Sequence, residues 1–491
     1  MKKHIRILMI ILILALMAGI TSSCAGKPEN GEKETASPGN TAATESEETG
    51  QETQSEPETV DQTTETSSVD EAPLALTYGN VRMLCHARLN DFEKEILKRF
   101  NESREDQIEL VYAPFEYEGG ECDPWCYWKA AIEEDVDLYW VAGNGEAWLF
   151  GLHGLLTPLD RLIGDRLEKG DYLEQVLDAC RYQDNLMILP AFFDASSFAV
   201  PRTIYEKDPE AFGSSARYLE LLRSLPDQDF WLGPEVGSSI LGMYGGEIDY
   251  ENFTADFQNE EFAGWLAVEE YQAAYRATHE DPYSSDPEKR QNRRVNGFVS
   301  TSYEKLSREF FTEGAYGEKG GVILPLPGET GSELTVMYGV AVAQNARNPG
   351  TIRDFLTFLL SDEIMRLELD APPMSPYANP QFCYLPLEGI AFRDAVARHF
   401  GRYGDQAEEE LAERREEIET ILRRIDGFAP QGFLYEALIE ANKEIREKEL
   451  ANTEEVAACL KKHADEALSH LREGIEAKKA SLAASESGAR P

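Results

Sequence analysis

Positive charge is scarce in this chain of 491 residues. Lys and Arg number 47 against 90 Asp and Glu, which leaves a formal net charge of -43. A partner rich in phosphate needs a basic face, so nucleic acid is excluded as the expected ligand. No GxSxG, HExxH or phosphate-loop pattern occurs, and the seven histidines do not cluster along the sequence. The usual sequence signs of hydrolase, zinc-protease and nucleotide chemistry are therefore missing. Acids in so acidic a chain are no sign of catalysis, since most of them only keep the surface soluble. Cysteine is also sparse, at seven in the whole chain, and outside the membrane disulfides among them are allowed. Long apolar runs are limited to one, Ile7 to Ile20, and that run has signal-peptide length rather than the length of a membrane span.

The run explains the N-terminus. Lys2, Lys3 and Arg6 precede it, and Thr21-Ser22-Ser23-Cys24 follows it. A cysteine at the expected cleavage point resembles a bacterial lipoprotein signal, in which Cys24 is diacylated and becomes the new N-terminus. The pattern departs at Thr21, where an aliphatic residue is preferred. A plain secretory signal beside an incidental cysteine is the alternative. Residues 25–72 carry thirteen acids, two lysines and almost no large apolar side chain. Such a segment buries too little surface to offset its ordering entropy, and charge repulsion extends it. It is expected to be a disordered tether.

The body is long enough for two lobes. A strand is expected within Leu74–Cys85. A helix capped by Asn90 or Asp91 follows, with Phe92, Ile96 and Phe100 on one face. Strands at Gln107–Ala113 and Asp137–Val141, with a helix between them, complete a β-α-β-α-β run and imply a parallel sheet. Ligands of such sheets gather at the carboxyl ends of the strands. The loop there holds Asn144, Glu146 and Trp148, which suit either a binding loop or a turn capped by the tryptophan. Helices are expected at Tyr172–Arg181, Ser214–Leu225 and Asn259–Ala277. Strands are expected at Phe230–Glu235, Gly320–Leu324 and Tyr338–Ala343. A helix opening at Asn348-Pro349 buries Phe355, Phe358 and Leu359. From Phe392 onward the chain reads as helix. The last helix is capped by Asn452 with Glu455, carries the stripe Val456, Leu460, Ala464, Leu468, Leu471 and Ile475, and frays from about Ala480. The bases Lys289, Arg290, Arg293 and Arg294 read as a solvated face.

Cys122 and Cys126, in CDPWC, are close enough to bridge across the Asp123-Pro124 turn or to stand as separate thiols. No histidine lies nearby in sequence, so no metal site is expected there, and none is expected elsewhere. Cys85, Cys180, Cys383 and Cys459 sit among apolar neighbours and read as buried small hydrophobes. The stretch Asn185 to Val200, NLMILPAFFDASSFAV, is an apolar run broken by Pro190 and carrying one acid, Asp194. It reads either as a segment crossing between two lobes or as an ordinary core strand.

Several segments stand in an informative order: VDLYWVAG, GLHGLLTPLDRLI, YQDNLMILPAFFDASSFAV, MYGGEIDYENFTADFQNEEF, VILPLPGETG and MYGVAVAQNARNPGTIRDFLTFLLSDE. With the closing FLYEALIEANKEIREKELANTEEVAACLKKHADEALSHL, they resemble the extracellular solute-binding proteins of ABC importers, in the carbohydrate-type group that includes maltodextrin-binding proteins. The resemblance runs from about residue 74 to 475. Val200-Pro201-Arg202-Thr203 departs from the family's Asn-Lys-Asp pattern after the crossover, and the segment near Gly297–Ser302 matches weakly. The resemblance implies an α/β, two-lobed periplasmic-binding-protein-like fold with an interlobe cleft and a helical C-terminal region. It implies a signal over 1–24, a linker over 25–72, a first lobe from 73–195 with 330–375, a second from 196–329 with 376–480, and a frayed tail over 481–491.

Hinge closure is the implied mechanism: ligand contacts both lobes and shifts an open–closed balance of a few kcal/mol. A saccharide needs aromatic faces for its C–H surfaces and carboxylates or amides for its hydroxyls. Carried over by position, Asn144 and Glu146 match the first-lobe cleft loop and Asp194 an acidic crossover position. Trp231 and Glu235 match the start of the second lobe, and Trp148 and Tyr338 are further candidates. For each of these residues ordinary packing is the competing account. The implied protein is a monomer on the outer face of a bacterial membrane. It is held by its lipid, has no catalytic residue or cofactor, and passes its ligand to the permease subunits. A binding protein that reports to a sensor kinase and a tethered glycosidase are the two alternatives; paired carboxylates would serve the latter.

Overall fold

The computed structural model describes residues 75–86, 89–113, 117–118, 121–122, 125–142, 145–225, 231–232, 247–278, 300–305, 321–325, 332–367, 369–370, 385–401, 408–428, 431–448, 450 and 452–486. The chain first lays down β1 (Val81–Cys85), α1 (Asp91–Glu102), β2 (Ile108–Tyr112), α2 (Cys126–Glu133) and β3 (Leu138–Val141). Strand β1 pairs in parallel with both β2 and β3, as a β-α-β-α-β run requires. Helix α1 starts where the sequence supplies a capping box. Asn90 Oδ1 accepts the Glu93 N–H and Glu93 Oε2 accepts the Asn90 N–H. Phe92, Ile96 and Phe100 bury its inner face.

Helices α3 (Glu146–Leu152) and α4 (Asp160–Leu167) follow β3. The helix expected over Tyr172–Arg181 is shorter, Glu174–Asp178. It gives way to a hairpin pairing Arg181–Tyr182 with Asn185–Leu186. Gln183 and Asp184 both take positive φ there, which suits a two-residue turn between antiparallel strands.

The centre of the molecule is β4 (Ile188–Pro201), one continuous strand through Pro190. After it come α5 (Ser215–Ser224), β5 (Trp231–Leu232), α6 (Glu260–Thr278), β6 (Ser300–Lys305), β7 (Gly321–Leu324) and β8 (Ser332–Val342). The main sheet runs β2-β1-β3-β8-β4-β6-β5. The first part of β4, Ile188 to Ala195, pairs antiparallel with β8. Its last part, Ser196 to Pro201, pairs with β6 and β7. The same strand therefore feeds two cores. Ile188, Leu189, Phe192, Phe193 and Ala195 join a large core with Trp140, Tyr139 and Val340. Val200 joins a second core with Ile204, Phe212, Tyr218, Leu222, Trp265 and Val322. Helix α6 is divided in the same way, with Phe262 and Leu266 in the large core and Trp265 and Val268 in the second. Each such side chain contributes roughly 1.5–3 kcal/mol by its burial.

The C-terminal part adds α7 (Pro349–Leu359), β9 (Leu385–Pro386), α8 (Glu408–Arg423), β10 (Ile425–Phe428), α9 (Gln431–Glu447) and α10 (Thr453–Glu486). Asn452 Oδ1 caps α10 through the Glu455 N–H, and all six residues of its expected stripe are buried. The helix does not fray at Ala480: it continues to Glu486, and Leu482 packs on the large core. Strand β10 interrupts the expected run of helices. Gly427 takes φ +107 inside it, at the irregularity between the pairs Ser332–Ile425 and Leu334–Phe428 that join β10 in parallel to β8. In helices α9 and α10, Leu434, Leu438, Val456, Leu460 and Leu468 belong to the large core. A hairpin of Glu247–Asp249 and Thr254–Asp256 lies against α10, where Lys461 Nζ donates to Ala255 O and the Arg472 guanidinium covers the Phe253 ring. Among the described residues no helix is long and apolar enough to cross a membrane.

Candidate functional site

Parallel strands direct their carboxyl ends, and the helices that follow, toward one edge of a sheet. At that edge of β1 the ring of His86 stacks on Tyr127 of α2, with centroids 4.4 Å apart and planes at 18°. Tyr127 Oη donates to Trp140 O at 3.0 Å. The Trp140 indole Nε1–H, from β3, donates to Glu93 Oε1 at 2.7 Å. Glu93 also closes the capping box with Asn90, and the spare Nδ2 of Asn90 donates to Tyr338 Oη at 2.6 Å. The Tyr338 ring, from β8, lies 5.1 Å from Phe92, 6.1 Å from Phe192 and 6.3 Å from Trp140. A chain of polar contacts thus threads an aromatic cluster, and its outer end, Asn90, is exposed.

The electrostatics of this nest follow from burial. Glu93 is almost wholly buried, and removal from water pushes its carboxyl up from the ordinary range. The hydrogen bonds from Asn90 and Trp140, and the nearby Lys94, act in the opposite direction. Burial first, and then the neighbouring Glu93, push the Cys85 thiol up and keep it protonated.

Along β4 the polar character continues. Side chains alternate across a strand, so Asp194 shares a face with Phe192. Asp194 is 2% exposed, stands opposite Thr335 in register, and accepts the Ala195 N–H on Oδ1 at 2.9 Å. Ser196 and Ser197 follow it and are fully buried, as is Ser332 on β8. These polar residues lie where β4 passes from its pairing with β8 to its pairing with β6 and β7. Groups buried there without hydrogen bonds would be costly, so this passage has to supply partners for its polar side chains.

The expected site residues divide as follows. Tyr338 joins the nest, buried and hydrogen-bonded to Asn90. Asp194 lies on the adjoining strand, buried. Glu146 is the first residue of α3, beyond the carboxyl end of β3, and is also buried. Trp148 sits half-buried in the same helix and packs on the large core. Trp231 lies in β5, paired with Ser300 of β6. Asn144, Glu235, Cys24, Cys383 and the bases at 289–294 lie outside the described residues. The bridge considered between Cys122 and Cys126 is not made: Cys126 is a free thiol, buried at the first turn of α2. Cys122 is in a short strand paired with Tyr117. Cys85, Cys180 and Cys459 are buried and free.

Asn90, Glu93, Trp140 and Thr335 were not singled out as site residues. Asn90 carried only a capping signal, Glu93 was not singled out at all, and Trp140 stood within a strand of apolar neighbours.

No family model and no curated protein matches the chain. Solved structures do. The sugar-binding protein MalE from Xanthomonas citri is 14% identical over 81% of this chain and 99% of its own, with a TM-score of 0.51. A periplasmic oligogalacturonide-binding protein from Yersinia enterocolitica is 16% identical over 80% of this chain and 99% of its own, at 0.50. A de novo designed cysteine esterase is 14% identical over 80% of this chain and 98% of its own, at 0.51. The fold is α/β and of the two-lobed periplasmic-binding-protein type.

Proposed function

We propose that this chain is a solute-binding protein that holds a small ligand, a saccharide, between two lobes and presents it to an ABC-type permease. The observation that carries the reading is β4. One strand serves two hydrophobic cores, and its passage between them is lined by the buried polar residues Asp194, Ser196 and Ser197. A segment shared in this way suits a hinge, because a few backbone angles can reorient one core against the other. At the rim of the nest beside it the exposed Asn90 offers an amide to a hydroxyl, while the buried rings of Tyr338 and Trp140 hold that amide's surroundings in place.

The fold of known sugar-binding proteins supports the reading but does not fix it, since one fold hosts many functions and a designed esterase shares this one. Cys24 is the lipid anchor, residues 25–72 are the tether, and the body stands outside the cell membrane. The protein binds rather than catalyses. Glu146 and Asp194 are the carboxylates that accept from ligand hydroxyls. Asn144, Trp148, Trp231 and Glu235 complete the cleft from the two lobes, which are the 73–195 and 196–329 segments with their returning strands.

The test is thermal melting of the full chain against a library of oligosaccharides. One of them raises the melting temperature; at a hundredfold excess over Kd the gain is about 2.7 kcal/mol. Asp194→Asn keeps the acceptor oxygen for the Ala195 N–H and therefore keeps the fold. It loses the charge, so ligand affinity falls roughly ten- to hundredfold, the range for a hydrogen bond to an ionised group. If sugars, peptides and polyamines all leave the melting curve of the folded chain unmoved, the reading fails.

A further inference from the structure

Among the described residues one group of side chains has the composition of a transition-metal site, and it lies away from the polar passage in β4. Cys459 and His463 are one helical turn apart on α10, so they share a face. Glu444 reaches them from the neighbouring α9. One oxygen, one sulfur and one nitrogen from these residues all lie within 4.8 Å of one another. The donors around a tetrahedral zinc ion sit roughly 3–4 Å apart, given metal–ligand distances of about 2.0–2.3 Å. Small rotamer changes would close the difference. His463 Nε2 and Glu444 Oε2 are already 2.7 Å apart.

We infer that Glu444, Cys459 and His463 form a binding site for a divalent transition ion, zinc by the chemistry of its donors. A thiolate, an imidazole and a carboxylate together suit a borderline-soft ion and are poor partners for calcium or magnesium, which take oxygen ligands. Three protein ligands leave the fourth position for water, on the side where Glu444 and His463 are 21% and 16% exposed.

Two ammonium groups now hold the carboxylate: Lys462 Nζ at 2.9 Å, and Lys448. His463 Nε2 holds the other side of the same carboxylate at 2.7 Å. Both lysines are more than half exposed, so their ammonium groups can turn out to water when a dication takes their place. Cys459 Sγ faces Ala441 O on α9 at 3.7 Å, a weak contact that is easily exchanged. Binding breaks the Cys459 S–H bond, passes the proton to solvent and forms a metal–sulfur bond; no electron moves. The ion would clip α9 to α10 where both pack on the large core.

Cobalt(II) is the probe, added to the reduced, untagged full chain. One ion per chain binds and produces a sulfur-to-cobalt charge-transfer band with the strong visible bands of a tetrahedral site; zinc then displaces it. Cys459→Ser removes the charge-transfer band while circular dichroism shows the fold intact. His463→Gln, at a part-exposed position, weakens cobalt binding by more than the ~10-fold that marks loss of even an outer partner. The inference is overturned if the wild type gives no charge-transfer band, if the band survives Cys459→Ser, or if His463→Gln binds cobalt as tightly as the wild type. Should the serine variant fail to fold, the wild-type spectrum and the histidine variant decide the matter.

Discussion

At the scale of single residues the most informative group is Glu93. Asn90 was one of two expected caps for this helix, and the structure selects it and completes a capping box with Glu93. Local spacing could not announce that the same two side chains reach Trp140 and Tyr338, because it carries no information about a partner 248 residues away. Asp194 and Tyr338 were legible as candidates because an acid in an apolar run and a strand aromatic are visible by eye. The lesson of Cys126 is the converse, since short spacing allowed a bridge that packing into α2 does not make. Glu93→Gln tests the nest. Both Glu93 oxygens accept, one from Trp140 and one from Asn90, and glutamine brings a single acceptor. One buried donor is left unsatisfied, so the variant is destabilised by about 1–3 kcal/mol. The pH dependence has a definite sign. Burial raises the Glu93 carboxyl in the folded chain. Between the unfolded value near ~4.3 and that raised value the native state binds more protons than the unfolded state, so this group's contribution falls as pH rises through the window. Glutamine binds none. The stability gap between wild type and variant, read by urea unfolding, therefore widens on acidification through the window. A gap that narrowed would contradict the assignment.

At the scale of elements, helices with caps and wide apolar stripes were legible in the sequence, and so were the three parallel strands. Short strands were not. The pair Arg181–Tyr182 and Asn185–Leu186, the hairpin of Glu247–Asp249 and Thr254–Asp256, and β10 are each too brief to show a period of two. The stripe of α10 showed that one face is buried, yet not what covers it; α9 packs on it most extensively, with α2 and the strand Thr254–Asp256 beside it. Gly474 marks a close approach to α2. A Cβ placed there would come within 2.6 Å of the Trp128 indole nitrogen, and Trp128 is itself buried and stacked on Phe150 at 5.2 Å. In an exposed helix Gly→Ala would stabilise by about 1 kcal/mol. Here the ring has no open space to yield into, and overpacking costs about 1–3 kcal/mol. Gly474→Ala is therefore expected to lower the melting temperature, and Gly474→Ala with Trp128→Leu to recover part of the loss. A single variant more stable than the wild type would show that α10 does not dock as closely as described.

At the scale of the whole molecule two features were readable from composition and order: a body with room for more than one core, and a strong excess of acid. The way the cores share elements was readable only in part: Asn185–Val200 read either as a segment crossing between lobes or as a core strand, and the division of α6 gave no sign. Strand β4 and helix α6 each serve both, and no sequence pattern distinguishes a strand that changes partners halfway from one that does not. The acid excess has a physical consequence of its own. With a net charge of -43, repulsion acts among many carboxylates at once and opposes the compact state. Local ion pairs oppose this only weakly, since many among the described residues join exposed partners, such as Lys94 with Asp91 and Lys443 with Glu440, and exposed pairs of this kind are worth about 0–1 kcal/mol each. Salt acts unequally on the two terms. Raising the ionic strength from ~0.01 M to ~0.15 M shortens the screening length from about 30 Å to about 8 Å. That removes most of the long-range repulsion and leaves contacts at hydrogen-bond distance largely in place. The melting temperature of the full chain should therefore rise with sodium chloride over this range and then level off. A fall over the same range would mean that specific ion pairs, rather than bulk repulsion, dominate the electrostatics of the fold.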